Sequence, residues 1–241
     1  MRSLFRAFEH YGVDYLLISG QASILYGAAT FSEDVDLWIR PSRENVRRIL
    51  QALASRRARV HKLTPPLEPR FLRAGHGFHF VVPGRPIPVY LDLMGKPPRV
   101  GDFSESMRRA RVLDTDWGRI PVVSIEDLIA LKKTRRFTDY EVISNLVSVR
   151  LAEEASRSRR MLRWAARSTF RAEDRVVFLR ELGESISLDR CRSDIALEVK
   201  ELQARDARYW SSRIAELRRL RREGKLLREG APVRALASNP R

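Results

Sequence analysis

Apolar residues fall into two rhythms along this chain. In "PSRENVRRILQALASR" they recur at helical spacing, with Val46, Ile49, Leu50 and Leu53 on one stripe and Ser42 placed to cap the first turn, so an amphipathic helix is expected. In "VDYLLIS", "SEDVDLWIR", "GFHFVV" and "IPVYLDLMG" they alternate or run together with β-branched and aromatic residues, the pattern of strands. "SLFRAFEHYG" reads as a short helix closed by Gly12, and "QASILYGA" as a helix that follows a strand through a Ser-Gly turn. The stretch 58–76, rich in Pro and Arg, reads as a strand plus loop. "GFHFVV" and "IPVYLDLMG", joined by "PGRP", form a hairpin or two neighbouring strands. "SESMRRA" reads as a short helix, and "RVLDTDWGRIPVV" as two short strands about a turn.

The character changes at Ser124, where "SIEDLIALKK" opens with Ser124 and Asp127 at capping-box spacing. From there to about residue 228 the pattern is helical, with breaks near 136–138, 168–171 and 183–189. A final long helix is expected from about Arg190 to Glu223, with Ile195, Val199, Leu202, Tyr209, Ile214 and Leu217 available for packing, and then a loose tail of about a dozen residues. The expected fold class is therefore α+β: a mixed sheet with flanking helices over 1–123, then a helical region over 124–241.

Charge alters the picture of partners. The chain has 241 residues and a formal net charge of +16, and the excess is spread: residues 150–241 hold 23 Lys and Arg against 14 Asp and Glu, the rest 23 against 16. A solvated Arg-rich surface explains this blandly; a polyanionic partner, nucleic acid above all, explains it more sharply. The single cysteine, Cys191, excludes an intrachain disulfide and a Cys-based zinc site, and most simply sits in a helix. The most apolar window, "YLLISGQASILYGAAT", is too short and too broken to span a membrane, and the N-terminus has no long apolar core, so a cytoplasmic protein is expected.

The candidate chemistry lies within a strand. "FSEDVDLWIR" places Asp34 and Asp36 two residues apart, hence on one face, where like charges repel and Asp is disfavoured. A divalent cation relieves such a pair, and Mg²⁺ takes carboxylate oxygens shared with substrate phosphates. "VYLDLMG" supplies a third strand carboxylate, Asp92, enough for a two-metal site. Upstream, Ser19 and Gly20 form a tight turn whose backbone N–H groups can hold phosphate oxygens. The combination suits phosphoryl or nucleotidyl transfer, and it is no Walker loop because GxxxxGK[ST] is absent.

"ISGQASILYGAATFSEDVDLWI", with "VYLDLMG" and "IPVVSIEDLIALKKTRRFTDYEVISNL", resembles the DNA polymerase β-type nucleotidyltransferase superfamily, in the manner of minimal nucleotidyltransferases and abortive-infection-type nucleotidyltransferase toxins. The resemblance covers about 15–55, 87–95 and 120–146; no motif supports 150–241. It implies that Asp34 and Asp36 bind the Mg²⁺ that carries the triphosphate, that Asp92 completes a second metal site and helps deprotonate the acceptor hydroxyl, and that Ser19 and Gly20 hold the β- and γ-phosphates. It further implies that Lys132 and Arg136 balance phosphate charge. For Asp139, a role in that cluster stands beside a plain N-cap for "YEVISNLVSV". Ser19 replaces the first Gly of the usual turn, and Thr30 stands where many relatives carry Arg. The implied activity is Mg²⁺-dependent transfer of a nucleoside monophosphate from ATP or another NTP to an acceptor hydroxyl. RNA such as tRNA is the favoured acceptor, with protein or a small molecule as further options, in a toxin–antitoxin setting with a cognate partner protein. The alternatives are a non-catalytic nucleic-acid-binding protein that kept the fold, and a metal-dependent nuclease.

Other residues read more plainly. His76 and His79 mark a loop-to-strand transition, and His79 approaches the carboxylates if its strand neighbours that of Asp92. Residues 108–112 read as a solvated helix end, and Tyr209 and Trp210 as packing of the long helix rather than as a base-stacking pair.

Overall fold

A computed structural model describes residues 1–84, 86–153 and 158–234. In chain order the elements are α1 (Arg2–His10), β1 (Tyr15–Ile18), α2 (Ser19–Leu25), β2 (Asp34–Ile39), α3 (Arg43–Ser55), β3 (Arg59–Val60), α4 (Pro69–Arg73), β4 (Gly77–Val82), β5 (Val89–Met94), α5 (Phe103–Arg109), β6 (Arg111–Thr115) and β7 (Gly118–Val122). They are followed by α6 (Ile125–Lys132), α7 (Phe137–Ala152), α8 (Arg159–Ser168), α9 (Ala172–Glu181) and α10 (Leu188–Arg222). The fold class is as the pattern implied, a mixed sheet with flanking helices and a helical C-terminal part.

The seven strands lie in the order β3-β4-β5-β2-β1-β7-β6. β2 runs antiparallel to β1 and parallel to β5, while β4 and β5 form the antiparallel hairpin. One sheet face is apolar where Tyr15 and Leu17 of β1 stand opposite Ile39 and Leu37 of β2. α1 closes that face, with Phe5 and Phe8 against Tyr15 at ring distances of 5.7 and 5.6 Å. Beside it α3 buries Val46, Ile49 and Leu53. Its cap is Ser42, which accepts from the Asn45 amide. Buried Asn45 is fully employed: its side chain accepts from the Asp14 amide and donates to the Asp14 and Arg40 carbonyls.

The chain forms two compact units, one of residues 1–22, 32–124 and 212–241, the other of 23–31 and 125–211. The strand-bearing unit is thus discontinuous in sequence, because the end of the chain returns to it. Thr64 bridges to Leu227 and Arg59 to Pro232, so the expected loose tail is paired with the sheet edge as far as Pro232; its last residues, 235–241, lie outside the described part. The Glu216 carboxylate of α10 accepts from His76 Nε2 at 2.8 Å. In the other unit a small core joins Ala172 and Val176 of α9 to Cys191 and Ile195 of α10, with Val199 packed on it.

The sequence reading needs three further corrections. Residues 69–73 are helical, not loop, because Pro69 at the first turn suits a helix start as well as it suits a loop. The break expected at 136–138 lies between Lys132 and Phe137. The expected packing face of α10 does not reach Ile214, which is exposed. Among the described residues no helix is long and apolar enough to cross a membrane.

Candidate active site

β2 alternates as its sequence requires. Val35, Leu37 and Ile39 turn to the apolar face, while Asp34 and Asp36 turn to the other face and stay half-exposed. Further along that second face Trp38 is buried, its indole donating to the Gly95 carbonyl at 3.2 Å and its ring set edge-on to Phe103. The carboxylates therefore occupy the open end of a face that closes at Trp38.

β5 brings the third aspartate alongside. Asp36 pairs in parallel register with Asp92, and Asp34 with Tyr90. Neighbouring strands lie about 4.8 Å apart, so Asp36 and Asp92 are adjacent on one face. The antiparallel partner of Asp92 on β4 is His79, whose Nδ1 lies 2.8 Å from Asp92 Oδ1. His79 is held through its backbone: its amide donates to Thr64 Oγ1, and its carbonyl accepts from the His61 amide. The His61 ring in turn lies 4.6 Å from Tyr90. The conditional expectation for His79 is thus met, because its strand does neighbour that of Asp92. The His61–Tyr90 pair was missed; only the strand order, set by long-range pairing, brings those residues to the aspartates. His76 does not join its near neighbour. It is buried at 1 % exposure, edge-on to Phe71 and bonded to Glu216.

Ser19 and Gly20 adjoin this face. β1 passes directly into α2, and Ile18, the last strand residue, is the partner of Asp36. Ser19 takes φ +60°, the left-handed region in which glycine is at ease and a serine is strained. This explains physically why a glycine would serve at that point. Gly20 has a different need. A Cβ there would meet Ser32 Oγ at 2.2 Å. Ser32 is fixed against the turn, its carbonyl accepting from Gln21 Nε2 at 3.0 Å and its hydroxyl donating to the Asp34 carbonyl at 3.2 Å. The turn and the start of β2 are therefore locked together through Ser32.

Lys132, Arg136 and Asp139 belong to the helical unit. There the Lys132 ammonium donates to Asp139 Oδ1 at 2.9 Å, both side chains being nearly buried. Thr134 donates to Asp139 Oδ2 at 2.5 Å, and exposed Arg136 stands 3.4 Å from the same oxygen. Asp139 lies in the first turn of α7, whose cap position is Arg136, so the N-cap reading of Asp139 is replaced by that of a buried counter-ion.

The donor set of Asp34, Asp36 and Asp92 is all hard oxygen on one sheet face, which suits Mg²⁺ chemically. Among the described residues, no three His, Cys, Asp or Glu side chains are gathered closely enough to hold a metal ion as they stand.

No protein-family model matches the chain, and no curated protein matches it. Among solved structures, the chain is similar to a provisionally assigned nucleotidyltransferase from Thermotoga maritima. The identity is 14%, over 63% of this chain and 85% of that one, with a TM-score of 0.37.

Proposed function

We propose that this protein is a Mg²⁺-dependent nucleotidyltransferase that moves a nucleoside monophosphate from an NTP to an acceptor hydroxyl, with RNA the favoured acceptor class. The observation that carries this reading is the register of β2 and β5, which sets Asp36 beside Asp92 with Asp34 on the same half-exposed face. In this reading Asp34, Asp36 and Asp92 would hold the cation, and Ser19 and Gly20 would present backbone N–H groups to the triphosphate. When bound, Mg²⁺ neutralises phosphate charge and aligns the α-phosphorus for in-line attack. The acceptor oxygen forms the new P–O bond, the bond to the leaving pyrophosphate breaks, and the acceptor proton passes to Asp92. His79, at 2.8 Å, fixes which way the Asp92 carboxylate faces.

One observation favours a second reading, in which the fold is kept without catalysis: Ser19, at φ +60°, holds the turn in the region where glycine is at ease. Label transfer separates the two. The protein is incubated with Mg²⁺ and each α-labelled NTP, with total RNA, protein extract or no acceptor, beside an Asp34→Ala/Asp36→Ala double variant. Label on an acceptor that vanishes in the variant supports the transferase and identifies its nucleotide and acceptor together. No transfer to any acceptor would sink it.

A further inference from the structure

α1 and the C-terminal end of α3 border an open hollow of about 550 Å³. Arg2, Arg6, His10 and Arg56 line it, with Tyr11 and Ser55, and no lining residue is acidic. Two arginines nearby have partners. Arg48 bonds to Glu44 and to the Gly12 carbonyl, and Arg40 pairs with Asp14. The three arginines that line the hollow differ. Among the described residues none of the three is paired with a carboxylate, and Arg2 reaches only the Asp116 backbone carbonyl, at 2.6 Å. Arg56 Nε is buried with no hydrogen-bond partner. An orphaned buried donor on a cation is costly, and like charges converging on one hollow repel. An anion with several oxygens relieves the repulsion, and the guanidinium fork matches phosphate.

The cavity is separate from the carboxylates. α1 packs on the sheet face of Tyr15, Leu17, Leu37 and Ile39, whereas Asp34 and Asp36 turn to the opposite face. Its size exceeds what one phosphate fills, and the whole chain carries +16 without an acidic patch among these lining residues. We propose that this α1–α3 groove binds the phosphodiester backbone of a nucleic acid strand, as an anchoring site on the back of the sheet. Read without NTP or divalent cation, it stands or falls independently of the transferase reading.

The test is fluorescence anisotropy with a labelled single-stranded RNA of about 20 nucleotides, long enough to span one such site, in chelator, over a salt series. The groove variants are Arg6→Gln/Arg56→Gln and the single Arg6→Glu; the latter changes an exposed position on α1 and keeps the test valid if the double variant fails to fold. Arg221→Gln/Arg222→Gln, at the exposed end of α10, removes the same charge elsewhere. The groove variants should weaken binding about tenfold and lower the log–log salt slope by about 1 for each phosphate no longer neutralised. The α10 control should move affinity less than about twofold. Equal losses in groove and control variants would show diffuse charge attraction and overturn the site. So would RNA binding that persists while the groove variants lose binding of inorganic phosphate or a mononucleotide, which would make the groove a small-anion site.

Discussion

Ser19 and Gly20 are neighbours with different reasons to be small. Ser19 is in the left-handed region, which costs a non-glycine residue about 1–2 kcal/mol. Ser19→Gly should therefore raise the denaturation midpoint, by up to about 1 kcal/mol once the added freedom of the unfolded chain is offset, as read by urea unfolding. Gly20 lacks room instead of freedom. Gly20→Ala should lower stability, and Ser32→Gly in the same chain should restore it, since the Cβ would meet the Ser32 side chain at 2.2 and 2.7 Å. A double variant no more stable than Gly20→Ala alone would contradict the close approach. In the helical unit, Asp139→Ala leaves the Lys132 ammonium buried with its partner gone, and the expected loss is about 3–5 kcal/mol by chemical denaturation. A surface pair would lose well under 1 kcal/mol, about the median for exposed ion pairs, so the size of the effect decides whether Lys132 is a structural cation.

Among the elements, β2 and α3 were legible because each obeys one local rhythm. Alternation put Asp34 and Asp36 on one face, and the helical stripe with Ser42 gave α3 its start and its buried side. Relations between elements were less legible. That Asp36 lies beside Asp92 depends on β5 pairing with β2, and a pairing across such a sequence separation leaves no mark in any one window, whereas the β4–β5 neighbourhood that sets His79 beside Asp92 was legible as a hairpin or two neighbouring strands. The same limit hid the return of residues 227 and 232 to the sheet edge and the tie between His76 and Glu216. β1 carries a test of its own packing. Burial, with Glu9 adding, pushes the Tyr15 phenol far above its ordinary value. A phenol raised in the folded state adds stability that is complete below the unfolded value of about 10 and is lost as pH rises beyond it, since only the unfolded chain then ionises. Urea midpoints measured from neutral pH upward should fall above about pH 10, and Tyr15→Phe should flatten that decline; an equal decline in the variant would show that other groups cause it.

At the scale of the whole molecule, two features stand together: three aspartates on one face of a sheet, in a chain whose net charge is +16. Positive charge draws polyanions broadly, whereas a carboxylate face repels them unless a cation intervenes. The central claim is therefore that Asp34, Asp36 and Asp92 join a divalent cation to a triphosphate. Electron paramagnetic resonance of Mn²⁺, titrated with each NTP present and absent, measures this directly in the wild-type chain and in Asp34→Asn/Asp36→Asn, with circular dichroism to confirm that both are folded. The account predicts Mn²⁺ binding that an NTP strengthens and that the variant weakens by about tenfold or more. Equal binding by both proteins, or none by either with any NTP, would contradict it.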